Sequence, residues 1–395
     1  MREYLVNADF DLSLRPGRVR ETADGRGRQA VEMPLHLLLL GDHGCSVLVD
    51  EAPAEDFLAY LERAGLPRPE TSVFPDVNHN AEFVPFGWNS EAAAISGSYD
   101  RPAPHPPLEV VKRVNGRRFA AELERQLFDV DEILGVFTAP DKIEACIASR
   151  PPGEEWLLKS EHGNAGLGNR RLRSATLSRS DREVMRRLLE EDVCVVLERW
   201  RRRVLDISTV FTIDGDGTVE DLHIYEVVVT ADGAYIGSIF ERYSETHEPW
   251  RPAVTEVASM VGRRLAEEGY FGPVCLDHFV WSDGEERRLR PLADLNARLQ
   301  VSAPVIRLWR SWGGDRVLYW RLFAAQKLRL PPDYRRLETV LGSDAFDPRR
   351  RVGVLVTSPF HVGERRLRRI GVLLAGTTRA EVEGLDRRLR EQFER

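Results

Sequence analysis

Long apolar runs are missing from this sequence. The longest, Leu35 to Leu40, falls far short of the about 20 residues that a bilayer-spanning helix needs. The N-terminus has no basic segment followed by an apolar one, so neither a membrane span nor a secretory leader is expected, and the reading is a cytoplasmic protein. Cysteine is scarce. Cys45, Cys146, Cys194 and Cys275 are scattered with no pair at metal-ligand spacing, which excludes a zinc framework or a disulfide scaffold and leaves buried reduced thiols. An excess of positive charge is also absent. With 56 Lys and Arg against 63 Asp and Glu, the net charge of −7 excludes a general nucleic-acid binder, whose affinity comes from neutralised phosphates. No repeat at solenoid periods and no long low-complexity segment is present.

What is there is ordinary globular material: 395 residues, 42% hydrophobic and 30% charged, room for two or three compact units. The stretch Pro102, Pro104, Pro106, Pro107 interrupts both helix and strand, so a boundary is placed near residue 107, after a small α/β unit. Phe119, Leu123 and Leu127 then mark one stripe of a helix. A strand at Trp156 to Leu158 runs into Lys159-Ser160-Glu161-His162-Gly163-Asn164-Ala165-Gly166-Leu167-Gly168-Asn169. Ser180 with Glu183 reads as a capping box for the next helix, and Thr378 with Glu381 as another near the C-terminus. Beyond Val193 the pattern becomes antiparallel, punctuated by Asp214-Gly215-Asp216-Gly217 and Asp232-Gly233. Strands at Val352 to Val356 and Ile370 to Leu374, followed by a helix, read as a small α/β appendage.

Three groups of residues carry chemistry. Asp277 and Asp294 lie on two apolar strands joined by Ser282-Asp283-Gly284; as a hairpin, the two carboxylates fall across from each other. Asn296 lies two residues beyond Asp294 on the same face. Two close carboxylates repel unless a cation lies between them, and magnesium, with manganese as the alternative, prefers such oxygen donors. The plain alternative is a surface hairpin with both acids in water. Arg298, on that face again, suits a phosphate or a developing oxyanion. In the second group, Lys159 offers a point charge, and Gly163, Gly166 and Gly168 let backbone N–H groups approach phosphate oxygens. No Gly-Lys-Ser/Thr follows, so this is not a P-loop. The third is Glu198 at a strand end with Asp206 after a charged link. The arginine clusters at 201 to 203 and 287 to 288 read as solvated faces, with a polyphosphate-holding rim as the alternative. His43, His79, His162 and His223 read as ordinary polar residues.

The order of these elements over residues 110 to 310 resembles the ATP-grasp superfamily. The resemblance implies an α/β (α+β) fold: a Rossmann-like pre-grasp domain at 1–107, a grasp subdomain with its ATP lid at 108–192, a second with the magnesium site at 193–330, and the appendage at 331–395. It implies that Lys159 and the glycine loop hold ATP phosphates, that Glu198, Arg199 and Trp200 form the hinge at the adenine, and that Asp206 takes the ribose. It implies metal ligation by Asp277, Asp294 and Asn296, and catalytic roles for Lys159 and Arg298. This chain departs from the family in having Asp294 where Glu is usual. It also lacks the early Asp-Lys, for which Arg117 is the candidate and Lys112 the reserve. A third departure is the neutral Pro273, Val274 and Cys275 where a basic residue is usual. The implied activity joins a small-molecule carboxylate (an amino acid, peptide or cofactor precursor) to an amine through an acyl phosphate; a homodimer is compatible. A phosphotransferase or a non-catalytic nucleotide-binding module is the alternative, and the segment Pro75 to Trp88 is the candidate acceptor surface.

Overall fold

The computed structural model describes residues 1–16, 28–41, 44–151, 153–163, 168–231 and 233–394. Three sheets organise it. The first is parallel, with β1 (Arg2–Leu5), β2 (Cys45–Val49), β3 (Glu70–Val73) and β4 (Glu82–Pro85) in the order β3-β2-β1-β4. Parallel neighbours need crossovers, and the helix Glu55–Arg63 lies in the one between β2 and β3. All of β2 is buried, as strands covered on both faces are. The apolar run Leu35 to Leu40 ends the helix Arg28–His36 and forms one 3-10 turn, Leu38–Leu40, packed on β2. After the prolines a helix starts at Leu108.

The second sheet is antiparallel: β5 (Ile133–Phe137), β6 (Trp156–Ser160), β7 (Asn169–Leu172) and β8 (Val195–Arg199), in the order β5-β8-β6-β7. It has its own core, in which Trp156, Leu158, Val195 and Leu197 pack on Met185 and Leu188. Met185 and Leu188 belong to the helix Arg179–Glu191, which is capped by Ser178 and Asp181 rather than by Ser180 and Glu183. The same Ser-x-x-acid pattern sits two residues earlier. At the C-terminal helix the Thr378 side chain does accept from the Glu381 N–H.

The third sheet has eight antiparallel strands. They are β9 (Arg203–Ile213), β10 (Val219–Val229), β11 (Tyr235–Phe240), β12 (Gly272–Asp283), β13 (Glu286–Asn296), β14 (Val317–Ala324), β15 (Gly353–Val356) and β18 (Arg369–Gly376), the last preceded by the short ribbon β16 (His361–Val362) and β17 (Arg365–Arg366). The order is β13-β12-β9-β10-β11-β14-β18-β15. The tail is therefore not a separate appendage: β18 pairs with β14 over its whole length, and the largest core runs from the first sheet to Phe393. Strand pairing over such a distance has no local signature. No helix among the described residues is long and apolar enough to cross a membrane.

A buried ion cluster ties the second sheet to the third. Arg290 on β13, 1% exposed, donates from Nε and Nη2 to Glu124 of the helix Arg117–Leu127 at 3.1 and 3.0 Å. Its Nη2 also lies 2.8 Å from Glu198 on β8, whose other oxygen is 2.9 Å from Lys159 Nζ on β6. Burial raises the Glu198 carboxyl, but Arg290 and then Lys159 overrule it and bring it down to about 2. Removing one member of such a cluster strands the others. Replacing Arg290 with methionine is expected to lower the unfolding free energy in urea by about 3–5 kcal/mol; a loss below about 1 kcal/mol would show that Lys159 alone compensates the two acids.

Candidate active site

The β12–β13 hairpin sets Asp277 opposite Asp294 and Cys275 opposite Asn296. The turn alone does not produce this. Near the turn Phe279 faces Arg290, and a regular ladder would then put Leu292 opposite Asp277. One residue separates 277 from 279, but three, Pro291, Leu292 and Ala293, separate 290 from 294. This bulge on β13 advances the register and aims Asp294 at Asp277. Pro291 has no N–H to leave unpaired, its carbonyl accepts from His278 Nδ1–H at 2.5 Å, and the Ala293 carbonyl accepts from Lys159 Nζ at 2.9 Å. Lys159 thus holds the bulge that shapes the acidic pair.

Ser208 Oγ donates to Asp277 Oδ1 at 2.5 Å, and Asn296 Nδ2 lies 3.5 Å from the other oxygen. Burial first, and then the charge of Asp294, push the Asp277 carboxyl up to about 6, against the Ser208 hydrogen bond. Arg117 Nη2 reaches Asp294 Oδ2 at 3.4 Å and the Gly163 carbonyl at 3.5 Å, while its Nη1 donates to the Ser160 carbonyl at 2.8 Å. Among the described residues no three His, Cys, Asp or Glu converge, so a metal here depends on the amide oxygen of Asn296 as a third donor. Two carboxylates and an amide oxygen fit magnesium, whose charge would offset that of Asp294 on Asp277. Asn296 Oδ1 already accepts from Arg298 Nη2 at 3.1 Å, leaving its second lone pair for that role.

These groups line one cavity of about 460 Å³, together with Lys159, Gly163, Asn169, Asp206 and Arg298. Lys159 is 5% exposed, and burial first lowers its pKa, with Glu198 opposing. Gly168 has φ +85°, and a Cβ there would lie 2.3 Å from Ser160 Oγ; Gly166 lies outside the described residues. A second cavity, of about 870 Å³, is lined by Arg199 and Trp200 and shares Arg203, Asp206, Val227, Val229 and Gly233 with the first. Burial raises the Asp206 carboxyl although Arg203 Nη1 donates to it at 2.8 Å.

Several expectations need correction. The Glu198 carboxylate is consumed by Arg290 and Lys159 and lines neither cavity, so its side chain offers nothing to a ligand. The backbone amides of Arg199 and Trp200 are also taken, by the carbonyls of Glu132 and Glu155 at 2.9 Å each. Arg201 and Arg203 are not a solvated face: they lie over Trp281 and Phe279 at 4.0 and 4.3 Å and pair with Glu132 and Asp206. Lys112 is exposed and outside the cavity, whereas Arg117 is inside it. Arg298 is held by Asp11 at 3.0 Å and lies over Phe86. His162 is a buried structural residue beside Asp192; His43 lies outside the described residues. Of the candidate acceptor segment, His79, Asn80 and Trp88 line a third cavity, about 940 Å³, which Arg298 also borders. Sequence reasoning missed Arg290, Asp11, Ser208 and His278. Their partners are distant along the chain, so only the hydrophobic neighbours of Arg290 on β13 hinted at burial.

Two predictions follow from this geometry. Folding raises the Asp277 carboxyl above the usual value near 4, so this group weakens the metal-free protein increasingly as pH rises from about 4 through about 6. Asp277→Asn is therefore expected to be more stable than the parent at pH 8 without metal, by about 1–3 kcal/mol, with the gap closing by pH 4. Chemical denaturation at both pH values measures it; an unchanged gap contradicts the charge repulsion. Gly168→Ala combines positive φ with the clash on Ser160 and is expected to cost about 1–3 kcal/mol. Differential scanning calorimetry reads that loss, and a neutral substitution would refute the tight approach.

No family model and no curated protein matches the chain by sequence. Solved structures do match in fold. Phosphoribosylamine–glycine ligase from Thermotoga maritima superposes with a TM-score of 0.58 at 13% identity, covering 100% of this chain and 97% of that one. N5-carboxyaminoimidazole synthetase from Staphylococcus aureus, in complex with ADP, gives 0.54 at 10% identity, covering 99% and 96%. The biotin carboxylase domain of Hydrogenobacter thermophilus 2-oxoglutarate carboxylase, crystallised with MgADP, ADP and bicarbonate, gives 0.57 at 13%, covering 99% and 90%.

Proposed function

With the ATP-grasp fold, which the chain has from end to end, as the premise, we propose an ATP- and magnesium-dependent ligase that joins a small-molecule carboxylate to an amine. The observation that carries this reading is the in-register pair Asp277 and Asp294 with Asn296, set in a cavity beside Lys159 and Arg117. The similar structures are ligases, synthetases or carboxylases, two of them with ADP bound, and this supports the same class here.

MgATP would supply the γ-phosphoryl group that activates the carboxylate as an acyl phosphate, which the amine then attacks with release of phosphate. The protein's part is positioning and neutralisation. Asp277, Asp294 and Asn296 would hold the metal. Arg117, already between Asp294 and the loop carbonyls, would turn its guanidinium to phosphate oxygens. Lys159 has three N–H donors and spends two on Glu198 and Ala293, which leaves one for phosphate. Asp206, on the rim shared by the two cavities, would take the ribose hydroxyls, with the base in the cavity beside Trp200. Arg298, fixed by Asp11 and Phe86, would face the negative charge that develops on the reacting carboxylate.

ADP release measured across pools of carboxylates with and without amines tests the proposal. Turnover that needs both partners is expected, falling by about 10²–10³-fold in Lys159→Met. Turnover with one partner would replace the reading with a phosphotransferase, and nucleotide binding without turnover would replace it with a binding module.

A further inference from the structure

The cavity that holds the acidic pair does not end there. It continues along the third sheet, past Tyr225, Tyr235 and Leu322, to the helix Arg28–His36 and the chain entering β18. From β12 to β18 is five steps between neighbouring strands, about 24 Å along the curved sheet at about 4.8 Å per step. A nucleotide held near Lys159 and Asp206 leaves this far end free. Between the two ends it is lined by Tyr225, Tyr235 and Leu322 of β10, β11 and β14, and the far end is basic.

Arg368 and Arg369 both line that end, both are exposed, and neither guanidinium has a partner among the described residues. Most arginines bordering the cavities are paired, as Arg117, Arg203 and Arg298 are, so two adjacent free ones are unusual here. Glu32, which lines the same end, accepts from the Arg368 backbone N–H at 3.0 Å and fixes the chain before β18. Beside them His36 is 5% exposed, lines the same cavity, and has a buried Nδ1 without a hydrogen-bond partner. Burial, with Arg369 adding to it, pushes the ring down to about 4, so it is neutral at pH 7 and acts only through hydrogen bonds. A buried ring nitrogen without a partner costs free energy, and this one packs against Gly371 of β18, next to the arginines.

We propose that this end of the cavity binds an anionic group, a carboxylate or a phosphate monoester, on the co-substrate, through the guanidinium groups of Arg368 and Arg369 with the His36 ring closing the site. The inference rests on the ligase reading for what lies at the other end of the cavity. It makes the co-substrate an elongated molecule with an anionic tail and an apolar or planar middle. The tail sets the register of the molecule, and the reacting group then falls near Arg298 and the acidic pair.

The test uses full-length protein without nucleotide, titrated calorimetrically with inorganic phosphate and, separately, with succinate, at ionic strength held constant with sodium chloride. Saturable binding of one of them is expected, and which one binds assigns phosphate or carboxylate. Arg368→Ala/Arg369→Ala is expected to weaken it by about tenfold or more. MgADP affinity, measured on the same preparations, is expected to change by less than about twofold, since the arginines lie far from Asp277. His36→Phe, which keeps the ring volume and removes the nitrogens, is expected to weaken the anion by a smaller factor. Absence of saturable binding to either anion, or binding that persists unchanged in the double variant, overturns the proposal. Failure of MgADP to bind the parent protein would instead overturn the nucleotide reading, and the anion titration is read independently of it.

Discussion

Two carboxylates set opposite each other in a cleft, one of them pushed up by burial and by the charge of the other, set the terms for everything around them. Asp277 and Asp294 face each other only because β13 carries a bulge, and the bulge persists because its free carbonyls are taken by Lys159 and met by His278. Lys159 in turn stays buried because Glu198 pairs with it, and Glu198 stays ionised because Arg290 sits on its other side. Each buried charge is thus answered by another until the chain of pairs ends at Glu124. The acidic pair is the one place where the series is left short of positive charge, with Arg117 at 3.4 Å as its nearest compensation.

This arrangement also explains why the two grasping sheets stay in register with each other. The second sheet has a separate small core and is tied to the third by the Lys159–Glu198–Arg290 pairs. Those pairs fix the position of Lys159 relative to the acids, and Arg117 is held by the Ser160 carbonyl and Asp294. A phosphate chain placed between the sheets therefore meets donors whose directions are already set, and little reorganisation is needed as charge shifts. Arg298, beside Asn296, follows the same logic: Asp11 and the Phe86 ring set its direction.

The sequence made some of this legible. The spacing of the acids about the Ser282-Asp283-Gly284 turn put Asp277 and Asp294 at the same end of one hairpin, but the bulge at residues 291 to 293 that sets them opposite each other has no signature in that spacing. The glycine-rich run after Lys159 was visible as a local pattern. What was hidden were the charges that ended up inside. Arg290, Glu124 and Glu198 look like surface residues one at a time, and they become a buried cluster only when partners as far apart as residues 124 and 290 meet. The tail was misread because the partner of β18 lies in β14, and nothing near Arg369–Gly376 says which sheet edge it will join. At position 198 the carboxylate works inward, on Lys159 and Arg290, and a strand-end acid gives no local sign of that.

The most direct measurement of the central claim is a crystal structure grown with Mn²⁺ and a non-hydrolysable ATP analogue, with anomalous data collected at the manganese edge. The account predicts an anomalous peak within ligand distance of Asp277, Asp294 and Asn296 and of the analogue's phosphate oxygens. A peak elsewhere, or an analogue bound with no metal between those two strands, contradicts it.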